Sequence, residues 1–201
     1  MTTRLTLRTA LRSRLEDTTA TPLWDDASLN EALAGAMGRY GARVPIERRL
    51  DVAIPAATTT IAVATSLSTR QVVRVLDARG EPVARAWGQA PRGGDGQAWR
   101  WWGGSLVLAL PLGSAQMWTI EYLGPRPLPA DDVTAVEIEP GDEELVVGLA
   151  ASSALTRRAV EDAKRGLNSQ PVAMVAAVVE ADAAERLRVR TRRATGGWLT
   201  G

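Results

Sequence analysis

The chain contains no cysteine, no histidine and no phenylalanine. The first two absences remove thiol nucleophiles, disulfides, zinc sites built on thiolate or imidazole, and every Ser-His-Asp arrangement. The third leaves aliphatic residues and seven Trp, with only two Tyr, to fill a core. Long apolar runs are lacking as well. None approaches the ~20 residues of a membrane span, and the first residues lack the apolar core of a signal peptide. The expectation is a soluble, intracellular protein. No sign of charge dominates, since 24 basic residues face 23 acidic ones, so there is no global nucleic-acid signature. Lys is nearly absent, Lys164 being the only one. Arg makes ordered bidentate contacts with carboxylates and suits protein interfaces, although a GC-rich genome or a warm habitat explains the bias more simply.

At 201 residues the chain fits one medium domain, or a domain carrying an inserted module, and can bury a core without staples. Its periodicity reads helix, strand, helix. Leu7, Leu11 and Leu15 recur every four residues and predict a helix from about Thr6 to Asp17. A second helix is expected over Asp26–Ala42. Asp25 serves as N-cap to Ser28, Trp24 and Leu29 have hydrophobic-staple spacing, and Leu29, Leu33, Met37 and Tyr40 form the stripe. Pro45 marks its far limit.

From Ile46 the period changes to two. Leu50–Ile54, Thr60–Ala64, Val72–Leu76, Val83–Trp87, Ala98–Trp102, Ser105–Leu110 and Met117–Tyr122 read as six or seven short strands, with Asp77-Ala78-Arg79-Gly80 as a hairpin turn. Helical spacing returns after Pro140-Gly141-Asp142, with Leu145, Leu149, Thr156 and Val160 on one side, a band of small residues from Gly148 to Ala154, and a C′ stop at Gly166. A fourth helix opens with Pro171 near N1, carries Val172, Val175, Val179 and Ala183, and is expected to end between Arg186 and Arg193. The fold class is therefore α+β. A four-helix unit, two helices from each end of the chain (1–45 and 126–185), is interrupted by a small antiparallel β-sandwich or barrel (46–125), and an extended C-terminal arm (186–201) completes the chain.

That arm is the most informative feature. No acidic residue comes after Glu185, yet Arg186, Arg188, Arg190, Arg192 and Arg193 do, which leaves residues 1–185 with 19 basic against 23 acidic residues. In a strand, the alternation Arg-Leu-Arg-Val-Arg-Thr-Arg would put four Arg on one face and Leu187, Val189 and Thr191 on the other. Gly196-Gly197 then hinges to Trp198 and Leu199. This suits an arm that adds a strand to a partner's surface or wedges its Trp into it; a solvated helix end with a loose tail has the same composition. The Trp cluster comes second. Trp99 and Trp101 would share a strand face with Arg100 and Trp102 opposite, either a stacking platform for glycan or single-stranded nucleic acid or simply core filler in place of Phe. The acidic pairs Asp25/Asp26, Asp131/Asp132 and Glu143/Glu144 sit where helix starts or loops are expected, and no ligands at matching spacing accompany them. The run Arg92-Gly93-Gly94-Asp95-Gly96 matches neither phosphate-binding fingerprint and is a loop.

The segment Leu7–Tyr40, with Pro-Leu-Trp-Asp-Asp-Ala-Ser-Leu-Asn-Glu-Ala-Leu at its centre, resembles the N-terminus of tailed-phage head–tail connector adaptors. Those have a short amphipathic helix, a loop, and a Trp-(Ser/Asp)-Asp-x-x-Leu start to a second helix. The run Glu143–Ala151 resembles their Ala-rich third helix. Together these cover about a third of the chain. The resemblance implies a structural virion component and no enzyme, without cofactor or metal. It implies a homo-oligomeric ring, usually a dodecamer, under the portal protein. The downstream stopper or tail protein would dock below, and DNA would pass through the lumen without specific binding or membrane contact. Arg186, Leu187, Arg188, Val189, Arg190, Arg192, Arg193, Trp198 and Leu199 would be the portal- or neighbour-binding arm. The slightly acidic body would let DNA slide, because the phosphate attraction behind non-specific binding is missing. The alternative is a module that binds glycan or single-stranded nucleic acid through Trp99, Arg100, Trp101 and Trp102.

Overall fold

The computed structural model describes residues 1–63, 67, 68, 70–86 and 96–196, the last six as backbone. Among the described residues four helices and seven strands run in the order α1 (Arg4–Arg14), α2 (Asp26–Arg43), β1 (Ile46–Ile54), β2 (Thr60–Ala62), β3 (Val72–Leu76), β4 (Ala84–Arg85), β5 (Ala98–Trp102), β6 (Ser105–Leu108), β7 (Gln116–Gly124), α3 (Glu143–Lys164) and α4 (Gln170–Gly196). They form two compact units, Met1–Pro45 with Pro125–Gly201, and Ile46–Gly124.

The helical unit begins earlier than the leucine spacing suggests. Thr3 caps α1 and exchanges hydrogen bonds with Thr6, a capping box in which Thr takes the place usually held by Glu or Gln. The helix also ends early, at the Leu15 cap, because Glu16 turns into the left-handed region (φ 55°). Asp17 therefore belongs to the loop. Its buried carboxylate receives the N–H groups of Leu23 (2.5 Å) and Trp24 (3.3 Å) and pairs with Arg12 at 2.7 Å. The start of α2 matches the expectation: the Asp25 side chain accepts the Ser28 N–H at 2.7 Å. Leu7 and Leu11, Leu29, Leu33, Met37 and Tyr40, and Leu145, Val146, Leu149 and Ala150 close one core, completed by Ala183 and Leu187 of α4.

Between Pro125 and Asp142 the chain has no regular element, and Arg126 organises it. This Arg is buried. It donates to the Val44 carbonyl (2.6 Å) and the Glu137 carbonyl (2.9 Å), pairs with Glu139, and lies over the Tyr40 ring at 5.6 Å. Gly41 permits this approach, since a Cβ there would sit 3.0 Å from the Arg126 backbone nitrogen.

In the β unit, β1-β7-β3 form one sheet and β2-β6-β5-β4 another. One apolar core draws on both, with Val52, Ile54, Val75, Trp118 and Ile120 from the first and Ile61, Trp99, Trp101, Leu106 and Leu108 from the second. This is the sandwich option of the expected pair. The Asp77–Gly80 turn forms with Gly80 at φ +82°, and Val83 still donates to the Val75 carbonyl at 2.9 Å. The chain then leaves its hairpin partner, and Ala84–Arg85 pair with β5 in the other sheet, in parallel. That one pair departs from the antiparallel expectation. A strand of two residues that changes sheet has no room to continue the hairpin ladder. Gly103 and Gly104, at φ +58° and +78°, make the two-residue turn between β5 and β6.

Two stripe assignments need correction. Thr156 and Val160 lie off the buried side of α3, which beyond Ala154 narrows to Ala159 and Asp162. On α4, Val175 is exposed, and the buried line is Ala176, Ala183 and Leu187, flanked by half-buried Val172 and Val179. Smaller Ala residues, not the larger Val, face α3, where the small-residue band of α3 requires close packing.

Candidate partner-binding surfaces

α4 lies antiparallel on α3, and a series of contacts defines the register. Ser152 donates to Glu180 at 2.6 Å, and Glu180 is also paired with Arg39 of α2. Arg39 above all, with Ser152, holds the Glu180 carboxyl below its ordinary range. A Cβ on Gly148 would lie 3.5 Å from the Ala183 methyl. Arg186 reaches Glu144 at 3.6 Å. Arg190 reaches Asp142 at 2.8 Å, on the same carboxylate oxygen that accepts the Tyr40 hydroxyl at 2.7 Å. Burial, then the hydrogen bond to Asp142, pushes the Tyr40 hydroxyl pKa upward. Asp142 precedes α3 but makes no side-chain cap bond; its carboxylate is taken by Tyr40 and Arg190 instead.

The expected arm is therefore helix through Gly196, not strand. Arg186 and Arg190 turn toward α3, Leu187 is buried, and Arg188 pairs with Glu185 along the helix. Val189 is partly exposed. A period of 3.6 spreads these Arg around the helix instead of aligning them. Helix prevails because no Gly or Pro interrupts residues 172–195, because Asp182–Arg186 has i,i+4 spacing, and because Leu187 and Arg190 find tertiary partners only in that geometry. Arg192 and Arg193 lie on the described backbone of α4; Trp198 and Leu199 lie outside the described residues.

The outer face of α4 is apolar and uncovered. From Pro171 to Val179 there is no charged residue, and Met174 (64 %), Val175 (53 %) and Val178 (70 %) are exposed. A helix apolar on nearly all sides is ordinarily covered. Sequence reasoning placed Val175 on the packed stripe and so missed this face, which the register of α4 on α3 alone reveals.

On the other side of α3 a groove of about 470 Å³ runs between α1 and α3. Small residues of α1 (Thr6, Ala10 and Ser13) leave it open, and Glu143 and Glu144 stand at the α3 end. Glu143 is tied back by Thr2 and Gly141, 3.1 Å each, whereas the Glu144 side chain is 83 % exposed. Sequence reasoning assigned these acids only to the helix start and did not anticipate the groove, which exists only once α1 and α3 are packed.

The acidic pairs are structural. Asp132 pairs with Arg8 and Arg4, which hold its carboxyl low. Asp131 accepts the Thr134 and Val133 N–H groups in a turn and titrates down to about 2, mainly through the Thr134 bond. Among the described residues no group of three or more His, Cys, Asp or Glu could hold a metal ion, and no helix is long and apolar enough to cross a membrane.

The Trp platform does not form. Trp99 and Trp101 are buried, with ring N–H groups bonded to the Val83 and Leu67 carbonyls at 3.0 Å each. Their shared strand face is the inner one, where the missing Phe leaves volume to fill. Of the three Trp on β5 only Trp102 is exposed (71 %), with the Arg100 guanidinium 5.8 Å from its ring centre. Trp87 lies outside the described residues.

No family model matches the chain, and no curated protein matches it.

Proposed function

We propose that this chain is a structural head–tail adaptor. It oligomerises as a ring under a phage portal, extends the DNA channel and offers a docking face to the next tail component. The single observation that carries the reading is the uncovered apolar face of α4, Met174–Val175–Val178, on a helical unit whose charged groups form structural pairs such as Arg4–Asp132, Arg39–Glu180 and Arg190–Asp142. Such a face on a protein of this size marks contact with another protein. The resemblance of Leu7–Tyr40 and Glu143–Ala151 to connector adaptors supplies the particular assembly. The mechanism is geometric: identical wedges close a ring, and binding needs no turnover.

The test is the particle mass of the purified chain, alone and mixed with the portal ring from the same genome. A discrete ring-sized gain on mixing supports the reading and gives the copy number. A chain that ignores the portal removes it, and leaves glycan or single-stranded nucleic acid binding at Trp102 and Arg100 to be screened.

A further inference from the structure

The two sheets of the β unit have four outer edges, β1 and β3 in one, β2 and β4 in the other. An open edge offers unpaired N–H and C=O groups to any further strand, and proteins blunt it by shortness, bulges, proline or cover. Three of these edges are blunted. β2 has three residues and β4 has two. β3 is bulged between Val72 and Arg74, and its far side is covered where Val83 donates to the Val75 carbonyl and Asp77 to the Glu81 carbonyl, at 2.9 Å each. β1 has none of these devices. It pairs with β7 over nine consecutive residues, Ile46–Ile54, without a bulge. Pro45 and Pro55 bound it, and between them lies neither Pro nor Gly. Among the described residues no strand pairs with its other side.

The side chains of β1 alternate. Leu50, Val52 and Ile54 pack on the core of the sandwich, whereas Glu47, Arg49, Asp51 and Ala53 are exposed. Charge along an edge ordinarily deters pairing, but these charges alternate in sign and complement themselves. Let a second β1 lie antiparallel with Leu50 opposite Leu50. All nine residues then pair, the core-facing sides of both sheets stay on one side, and Arg49 of each copy stands opposite Asp51 of the other. A slip of two residues one way sets Arg49 against Arg49 and Glu47 against Asp51. The same slip the other way sets Asp51 against Asp51. A slip of one residue turns the core-facing side chains outward. The full-length register is therefore also the charge-matched one. The Arg49 side chain is 73 % exposed and shares Glu121 with Arg74, and exposed Asp51 accepts the Thr119 hydroxyl at 2.8 Å, so both charges stand at the open face.

We infer that β1 pairs with β1 of a second copy across a two-fold axis, joining the two three-stranded sheets into one. The occupant is a second copy because the edge matches itself in length, in facing and in charge. The contact is isologous: it joins two copies and is then used up, unlike the heterologous contacts from which rings close. It does not rest on the adaptor reading, and its test needs no portal, so each can fail without the other.

A seam one strand wide is at the small end of protein interfaces, so the mass of the full-length chain is followed by sedimentation over ~1–300 µM. The samples are the parent, Arg49→Asp and Asp51→Arg, both substitutions at exposed positions, with circular dichroism to check that each stays folded. The parent is expected to dimerise. Each variant sets like charges against each other at both seam pairs and should lose at least ~10-fold in association constant. An equimolar mixture of the two variants should recover it, because position 49 of each chain again faces the opposite charge at position 51 of the other. A parent that stays monomeric to ~300 µM overturns the inference and leaves the edge to an extended segment of another protein. Variants that assemble like the parent overturn it too, and place self-association on another face such as that of α4. So does a mixture no better associated than its components.

Discussion

Replacing Tyr40 by Phe tests the closure that holds the C-terminal half of α4 in place. Tyr40 is fully buried. Its hydroxyl donates to Asp142 at 2.7 Å and accepts the Glu139 N–H at 3.2 Å. Phe retains the ring and its packing and deletes only the oxygen. A hydrogen bond to a charged group contributes roughly 1.5–3 kcal/mol, and the Glu139 N–H is stranded besides, so the expected loss is about 2 kcal/mol. Arg190→Ala removes the second donor to the same oxygen. The Arg190 side chain is one-third exposed and that of Asp142 is 12 % exposed, so solvent screening limits this loss to about 1 kcal/mol. Because both donors share one carboxylate, the double variant should depart from additivity by about 0.5–1 kcal/mol. Urea titrations followed by helical circular dichroism give all four values, provided the m-values agree. If Tyr40→Phe lies within ~0.5 kcal/mol of the parent, the hydroxyl is not closing the network. If Arg190→Ala is silent and uncoupled, residues 186–190 do not dock on α3 as described.

Leu149→Ala, at a fully buried position between α2 and α3, should destabilise the helical unit by about 3–4 kcal/mol, and a denaturant midpoint close to the parent's would contradict the packing. Trp99→Ala should be severely destabilising, about 3–5 kcal/mol, whereas Trp102→Ala should leave the melting temperature nearly unchanged because its ring is exposed; equal effects would mean that the two faces of β5 are misassigned. Stability should fall in acid. The Asp132, Asp131 and Glu180 carboxyls all titrate below their ordinary values, so their contribution is present above about pH 5 and is lost as the pH drops through the lowered values toward about 2. Melting temperatures at pH 7, 4 and 3 should decline in that order, and a flat profile would mean that these pairs contribute nothing.

Local chemistry was legible in the chain wherever one residue decides a local geometry. Asp25 caps the helix that begins beside it, Gly166 (φ +72°) ends α3, and the change of period at Ile46 marks where helix gives way to strand. The shared face of Trp99 and Trp101 could be read from alternation, but whether that face was core or platform could not. Periodicity places residues on a common side without saying what lies opposite. The segment after Glu185 shows the limit most clearly. Its alternation of Arg with Leu, Val and Thr fits a strand, and its uninterrupted helix-compatible composition fits a helix. Asp142 and Glu144, distant along the chain, settle the choice by offering partners only to the helical form. The groove between α1 and α3 exists only after long-range packing has set the register of one helix on another. The four-helix unit, the inserted strands and the balance of charge are written in the order of the residues, because they depend on contacts within a few positions of one another. Which charges pair, which Trp is exposed and where the basic end of α4 points are matters of the packed molecule, because each depends on side chains that meet across the fold.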